Sequence, residues 1–293
     1  MSIHHIAVIG AGFMGSGIAQ VSAQAGFHVT LIDLTEARLE RARSAIDWSL
    51  EKLESKGLLQ SSAGNLGKRI KTGTDYNAAR EADLVVEAVY EDPSVKLETL
   101  RKLDGICRPD TIIGSNTSTI PITTLATASA HPQRVIGIHF FGPVPLMRLV
   151  EIIPNPATAA AVVDATLAFT RALGKSPVLV KKDVPGFIMN RIFGAMTCEA
   201  IRLAEEGVGT VEDIDQGMCD GFNLRVGPLC IADLAGLDIA LNAFKVMHDL
   251  EPERMSAPPA LLVQLVKDGK LGAKSGEGFY HWADNGRRLG PAL

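Results

Sequence analysis

The feature that most restricts the fold lies at the start of the chain. An apolar segment from His4 to Ile9 runs directly into Gly10-Ala11-Gly12-Phe13-Met14-Gly15. An amphipathic pattern then extends from Phe13 to about Ala25, with Ile18, Val21, Ser22 and Ala25 on one face. A second apolar segment, Phe27 to Ile32, ends in Asp33, eighteen residues beyond Gly15. Strand, G-x-G-x-x-G, helix, strand and acid, in that order, make up a dinucleotide-binding unit. Gly10 permits the tight turn, Gly12 lets the backbone approach a pyrophosphate, and Gly15 lets helix and strand pack closely. The helix N-terminus, through Gly10, Ala11, Gly12, Phe13, Met14 and Gly15, offers N–H groups and positive dipole to phosphates. Asp33 can accept both ribose hydroxyls and would repel a 2′-phosphate, which favours NAD over NADP; FAD uses the same fingerprint and stays open as a competitor.

Further alternation follows. Glu36 to Lys56 predicts a long helix with Leu39, Ala42, Ile46, Ser49, Leu50 and Leu53 at helical spacing and a charged opposite face. Ser61 to Gly67 reads as a polar loop. Asp83 to Val89 is a continuous apolar strand of the kind a sheet covered on both faces requires, leading to Glu87, Glu91, Asp92 and a helix from about Ser94 to Leu103. Thr111 to Gly114 is another short strand, ending in Ser115-Asn116-Thr117-Ser118-Thr119. That cluster, taken by itself, reads as a cap for the helix from Ile120 onward, with a binding loop as the alternative. A helix from Asn155 to Leu173 and a strand from Ser176 to Val180 complete the pattern of a doubly wound, Rossmann-type α/β sheet.

Val135 to Ile153 (VIGIHFFGPVPLMRLVEII) adds chemistry. One strand ends in His139, Phe140 and Phe141; Gly142-Pro143 and Pro145 break it; Arg148 to Ile153 reads as a second strand. A short connection folds the second strand beside the first and brings His139 near Glu151. An imidazole held by a carboxylate is a general base with a fixed tautomer. Taken by itself, this stretch favours a buried, satisfied histidine beside a solvated strand-end charge, and the rest of the chain reverses that balance.

Beyond Lys181-Lys182-Asp183-Val184-Pro185-Gly186 no strand pattern returns, which places the boundary between a domain at 1–184 and an all-helical C-terminal domain at 185–293. Helices are expected over Phe187 to Glu206, from a Thr210/Asp213 capping box to about Cys219, over Pro228 to about Leu250, and over Pro259 to Lys267. Apolar faces carrying Leu234, Leu237, Ile239, Leu241, Phe244 and Met247 suggest a subunit interface. At 293 residues two domains are the default. A formal charge of -4 gives no polycationic face for nucleic acid or an anionic membrane, and no apolar run is long enough to span a bilayer. Strand-like sequence from His4 leaves no room for a leader peptide. Cys107, Cys198, Cys219 and Cys230 show no metal or disulfide spacing, which suits a reducing, cytoplasmic setting and predicts no metal site.

Read together, GAGFMGSGIAQ (Gly10 to Gln20), SNTST (Ser115 to Thr119), HFFGPVPLMRLVEII (His139 to Ile153) and PGFIMNR (Pro185 to Arg191) resemble the L-3-hydroxyacyl-CoA dehydrogenase family, in its stand-alone 3-hydroxybutyryl-CoA form. GLDIA (Gly236 to Ala240) and AKSGEGFY (Ala273 to Tyr280) look like the family's C-terminal markers, so the resemblance spans residues 4 to 280. It implies an NAD-binding domain, a helical domain that forms a homodimer, and substrate in the cleft between domains. It implies His139 as general base, Glu151 as its orienting carboxylate, Ser118 bonding the substrate oxygen near the nicotinamide, and Asn190 bonding substrate from the helical domain. Asp33 matches the adenosine-ribose acid, Glu91 and Lys96 positions that contact the nicotinamide half of NAD, and Lys274 a tail lysine near the cofactor. Ser49 and Lys56, on the second helix, match positions that contact CoA.

One departure stands out: where the family carries Asn after His-Phe-Phe, this chain has Gly142. The dyad survives, so the chemistry is expected to be retained, while the acyl group or its carrier is left open. The resemblance implies reversible NAD-dependent oxidation of the 3-hydroxyl of an L-3-hydroxyacyl-CoA, in fatty acid metabolism. Alternatives are the same chemistry on an acyl-carrier-protein-bound or free hydroxy acid, and a non-catalytic NAD-binding protein. The β-hydroxyacid dehydrogenases use a catalytic lysine in the interdomain helix, and around Asn190 only Arg191 is present.

Overall fold

The computed structural model describes residues 2–293, and the chain divides into two compact units, Met1–Val184 and Pro185–Leu293.

Unit 1 is built on one eight-stranded sheet. Its strands are β1 (His5–Ile9), β2 (His28–Ile32), β3 (Ile70–Gly73), β4 (Leu84–Glu87), β5 (Ile112–Ser115), β6 (Val135–Phe140), β7 (Leu149–Pro154) and β8 (Ser176–Leu179), in the order β3-β2-β1-β4-β5-β6-β7-β8. Every neighbouring pair is parallel except β6 and β7. β3 lies in a segment whose single apolar residue, Ile70, is followed by Lys71 and Thr72, too little alternation to announce a strand. It pairs with β2 at the sheet edge.

The helices of unit 1 are α1 (Phe13–Gln24), α2 (Glu36–Glu54), α3 (Ala63–Gly67), α4 (Pro93–Ile106), α5 (Ile122–Ala126) and α6 (Ala160–Ala172). α2 buries Leu39, Ala42, Ile46 and Leu50, one stripe at three- and four-residue spacing. It ends at Glu54, so Lys56 lies in the turn beyond the helix rather than on it. The expected loop at Ser61 to Gly67 contains α3, whose Ala63 and Leu66 are buried on the core. α4 starts at Pro93, a favoured first-turn position, because Asp92 caps it by accepting from Ser94 N and Val95 N. α6 begins at Ala160, not Asn155. The Asn155 side chain instead bonds Pro132 O and Val135 O and takes Ala157 N, holding the preceding segment in a turn.

Unit 2 contains α7 (Met189–Glu205), α8 (Val211–Phe222), α9 (Pro228–Ala235), α10 (Leu237–Leu250) and α11 (Ala260–Lys267) around a core that includes Ile201, Leu229, Leu237, Phe244, Met247 and Leu262. The single helix expected over Pro228 to Leu250 is two. Gly236 adopts φ +98°, a conformation that only glycine takes freely, and Leu237 N bonds Leu271 O instead of continuing the helix. Strands also return. β9 (Tyr280–Trp282) and β10 (Arg288–Pro291) form an antiparallel hairpin, so unit 2 is not purely helical. The hairpin is anchored by buried Asp233, which accepts from Phe279 N, Tyr280 N and Trp282 Nε1, and by Asp215, which accepts from Tyr280 Oη. No helix among the described residues is long and apolar enough to cross a membrane.

Candidate active site

The phosphate loop follows β1. Gly10 adopts φ +101°, and a Cβ there would lie 2.5 Å from Ala88 O; one on Gly15 would run into Gly10 O. A Cβ on Gly12 would meet nothing within 4 Å, so open space faces the backbone where a pyrophosphate must approach. The first intrahelical bond of α1 is Ser16 N to Gly12 O, which leaves the N–H groups of the first turn before it outside the helix's own ladder. The residues therefore fit a dinucleotide. Asp33, at the end of β2, accepts from Ala11 N at 2.7 Å and from Leu34 N, and pairs with Arg38 at 3.2 Å. Its carboxylate thus braces the glycine loop as well as ending the strand.

β4 and β5 carry a buried polar cluster at their carboxyl ends. Lys96 of α4 is 1% exposed and its Nζ donates to Glu87 Oε1 at 2.8 Å and to Val89 O at 3.3 Å, with Glu91 Oε2 3.2 Å away. Glu87 also accepts from Ser115 Oγ at 2.6 Å and from Val89 N. Glu91 Oε1 accepts from Thr117 Oγ1, Ser118 N and Thr119 Oγ1, so the SNTST segment wraps one carboxylate oxygen. α5 begins later, after Pro121, and takes no side-chain cap, so the segment does not cap that helix. Burial alone would push the Glu91 carboxyl up, but the Lys96 ammonium and the donors from Thr117 and Ser118 outweigh it and hold it below the ordinary value. Burial likewise opposes the Lys96 charge, and Glu87 and Glu91 more than reverse that, raising it.

Sequence reasoning gives Glu87, Ser115 and Asn116 no roles. The one signal for Glu87 is a carboxylate closing an otherwise apolar strand. Asn116 Oδ1 accepts from Phe140 N at 2.9 Å and so fixes the end of β6.

On β6 and β7, His139 and Glu151 are directly opposite in the antiparallel register. His139 Nδ1 lies 2.8 Å from Glu151 Oε2, with the histidine 5% exposed and the glutamate fully buried. The imidazole also packs on Phe141, ring centroids 4.4 Å apart. A carboxylate on Nδ1 favours the tautomer with its proton there and leaves Nε2 as the basic nitrogen.

The remaining candidates lie on other elements. Ser49 is half-buried on α2 and Lys56 exposed beyond it. In unit 2, Asn190 is the second residue of α7, after a tight turn in which Gly186 and Phe187 take φ +74° and +49°. Lys274 pairs with Asp238. Among the described residues no group of His, Cys, Asp and Glu could hold a metal ion.

Known proteins resemble the chain over nearly its whole length. Residues 5–184 match the NAD binding domain of 3-hydroxyacyl-CoA dehydrogenase and residues 186–282 its C-terminal domain. The chain is 40% identical over 288 residues to human mitochondrial hydroxyacyl-coenzyme A dehydrogenase, covering 96% of this chain and 91% of that one. It is 40% identical over 282 residues to a 3-hydroxybutyryl-CoA dehydrogenase of Mycobacterium tuberculosis, covering 95% and 98%. A solved (S)-3-hydroxybutyryl-CoA dehydrogenase from Ralstonia eutropha superposes with a TM-score of 0.91 at 38% identity, covering 97% of this chain and all of that one. The chain belongs to the 3-hydroxyacyl-CoA dehydrogenase family, a family of NAD-dependent oxidoreductases.

Proposed function

We propose that this protein catalyses the reversible, NAD-dependent oxidation of an L-3-hydroxyacyl-CoA thioester to the 3-ketoacyl-CoA, with His139 as general base. The observation that carries the reading is the buried 2.8 Å contact between His139 Nδ1 and Glu151 Oε2. In oxidation His139 Nε2 takes the proton of the 3-hydroxyl; in reduction it returns it. Glu151 holds the ring through Nδ1–H and stabilises the imidazolium that forms. Ser118 bonds the substrate oxygen, and Glu91 orients Ser118 through the contact to its backbone N–H. Bound NAD supplies the hydride acceptor. Its pyrophosphate would be held by the Gly10–Gly15 loop and its adenosine ribose by Asp33, with Glu91 and Lys96 on the nicotinamide half and Lys274 as a further contact. Asn190 as a substrate contact, and Ser49 and Lys56 as contacts to CoA, follow from the family resemblance.

His139→Gln tests the reading. Turnover of acetoacetyl-CoA with NADH is expected to fall by about two to four orders of magnitude, while NADH binding by fluorescence titration stays close to wild type. Near-wild-type turnover would remove His139 from the chemistry.

Gly142 supports a second reading, in which the same chemistry acts on a carrier-protein-bound or free hydroxy acid; comparing those substrates with acetoacetyl-CoA separates the two. The proposal extends to a cytoplasmic homodimer in fatty acid metabolism, joined through unit 2. Of the apolar residues expected at that interface, Leu237, Phe244 and Met247 belong to the core of unit 2, while Leu234 and Ile239 are exposed on α9 and α10, as is Phe222 on α8. Sedimentation equilibrium decides the assembly, a monomer overturning it.

A further inference from the structure

Phe13 is the first residue of α1 and sits inside the glycine loop, yet its side chain is 70% exposed. One edge of the ring is not bare. A Cβ built on Gly142 would lie 2.6 Å from Phe13 Cε1 and 3.4 Å from Met14 Sδ, so the ring occupies the volume that any side chain at position 142 would need. The seat is held from both sides. Val144, two residues on, is buried against α1, where a Cβ on Gly17 would come within 2.8 Å of Val144 Cβ. Beneath the same connection, buried Lys175 donates to Val144 O and Met147 O, each at 2.7 Å. The seat is also close to the dyad in the chain: Gly142 follows Phe141, whose ring packs on His139.

We infer that Phe13 and Gly142 form one specificity element, in which the phenyl ring seated over Gly142 is an apolar contact for the acyl chain of the substrate. The inference rests on the dehydrogenase reading and deepens it. A side chain at 142 able to donate or accept a hydrogen bond is absent. The surface in its place offers only an aromatic face, which hydrocarbon satisfies and polar groups do not. A longer acyl chain covers more of that face than a four-carbon one, so the ring favours longer substrates. Because Phe13 meets position 142 through the far end of its side chain, a methyl group at 142 swings the ring away instead of disrupting the fold. Removing the ring and displacing it should therefore have the same consequence.

The experiment is a double-mutant cycle on substrate selectivity. kcat/KM is measured with NADH for four-carbon and ten-carbon 3-ketoacyl-CoA in the wild type, Phe13→Ala, Gly142→Ala and the double variant. The ratio of long-chain to short-chain kcat/KM is expected to fall roughly tenfold in each single variant and no further in the double. The change should lie mainly in KM, as expected for a binding contact. A crystal structure of Gly142→Ala is expected to show the ring displaced. Additive effects of the two substitutions would overturn the coupling. Equal losses at both chain lengths would assign the ring to the cofactor and overturn the acyl contact. An active wild type whose selectivity ignores both substitutions overturns this inference alone; a wild type idle on both thioesters overturns the acyl-CoA reading with it.

Discussion

His139 and Glu151 face each other across an antiparallel pair, so the backbone sets their Cβ atoms about 4.5–5.5 Å apart before any side-chain torsion is chosen. The contact is therefore pre-formed, and both groups are shielded from the water that weakens exposed ion pairs. Glu151→Gln keeps the shape but removes the charge, and its amide can present N–H to Nδ1 and favour the wrong tautomer. The expected loss in kcat is about 10³–10⁴-fold, with NADH affinity little changed; a steady-state assay with parallel NADH titration checks it. Gly10 makes a different kind of prediction. Its φ of +101° and the 2.5 Å approach of a built Cβ to a backbone oxygen mean that neither torsion nor neighbour can yield cheaply. Gly10→Ala should cost about 1–3 kcal/mol, lowering the melting midpoint of unit 1 by several degrees and weakening NADH binding in the same titration.

Between elements, the SNTST loop and α4 are joined through one carboxylate. Glu91 titrates below its ordinary value in the folded protein, so its contribution to stability is present above about pH 4.5 and is lost as pH falls through the lower folded value. Glu91→Gln should lower the melting midpoint at neutral pH, and the gap to wild type should close as the pH drops below that value. Melting curves of both proteins across the acid range test this; a gap independent of pH would mean that the charge of Glu91 is irrelevant to the loop. This cluster also marks where legibility in the sequence ends. The glycine loop, the strand-end acid and the His139–Glu151 pairing are readable because each is set by local spacing: a turn, a period, a short return between two strands. Glu87 goes unassigned because its partners come from other elements: α4 returns Lys96 to it, and the parallel pairing of β4 with β5 sets Ser115 beside it. The break at Gly236 and the hairpin at Tyr280 are hidden for the same reason. An apolar period runs through Pro228 to Leu250 without interruption, and the carboxylate of Asp233 that secures the hairpin is 46 residues from Phe279 along the chain.

For the molecule as a whole, the proposed nucleotide residues are distributed unevenly. The glycine loop, Asp33, Glu91 and the SNTST segment belong to unit 1, as does the dyad, whereas the Asp215–Tyr280 and Asp233–Trp282 bonds that close the C-terminal tail belong to unit 2. A ligand stabilises the part of a protein that binds it, by about 2.7 kcal/mol at a hundred times its dissociation constant. Opening events that free a single unit feel that stabilisation only if the unit holds the ligand's contacts. NADH at saturation should therefore slow amide hydrogen exchange in β1, α1 and the segment from β5 to Thr119 by up to about a hundredfold, with far smaller changes in β9 and β10. Hydrogen exchange read by mass spectrometry, with and without NADH, makes the comparison peptide by peptide. Equal protection of the hairpin would mean that nucleotide binding and the closure of unit 2 are a single cooperative event, and that Lys274, which pairs with Asp238 at the base of the tail, carries more of the binding energy than its exposure suggests.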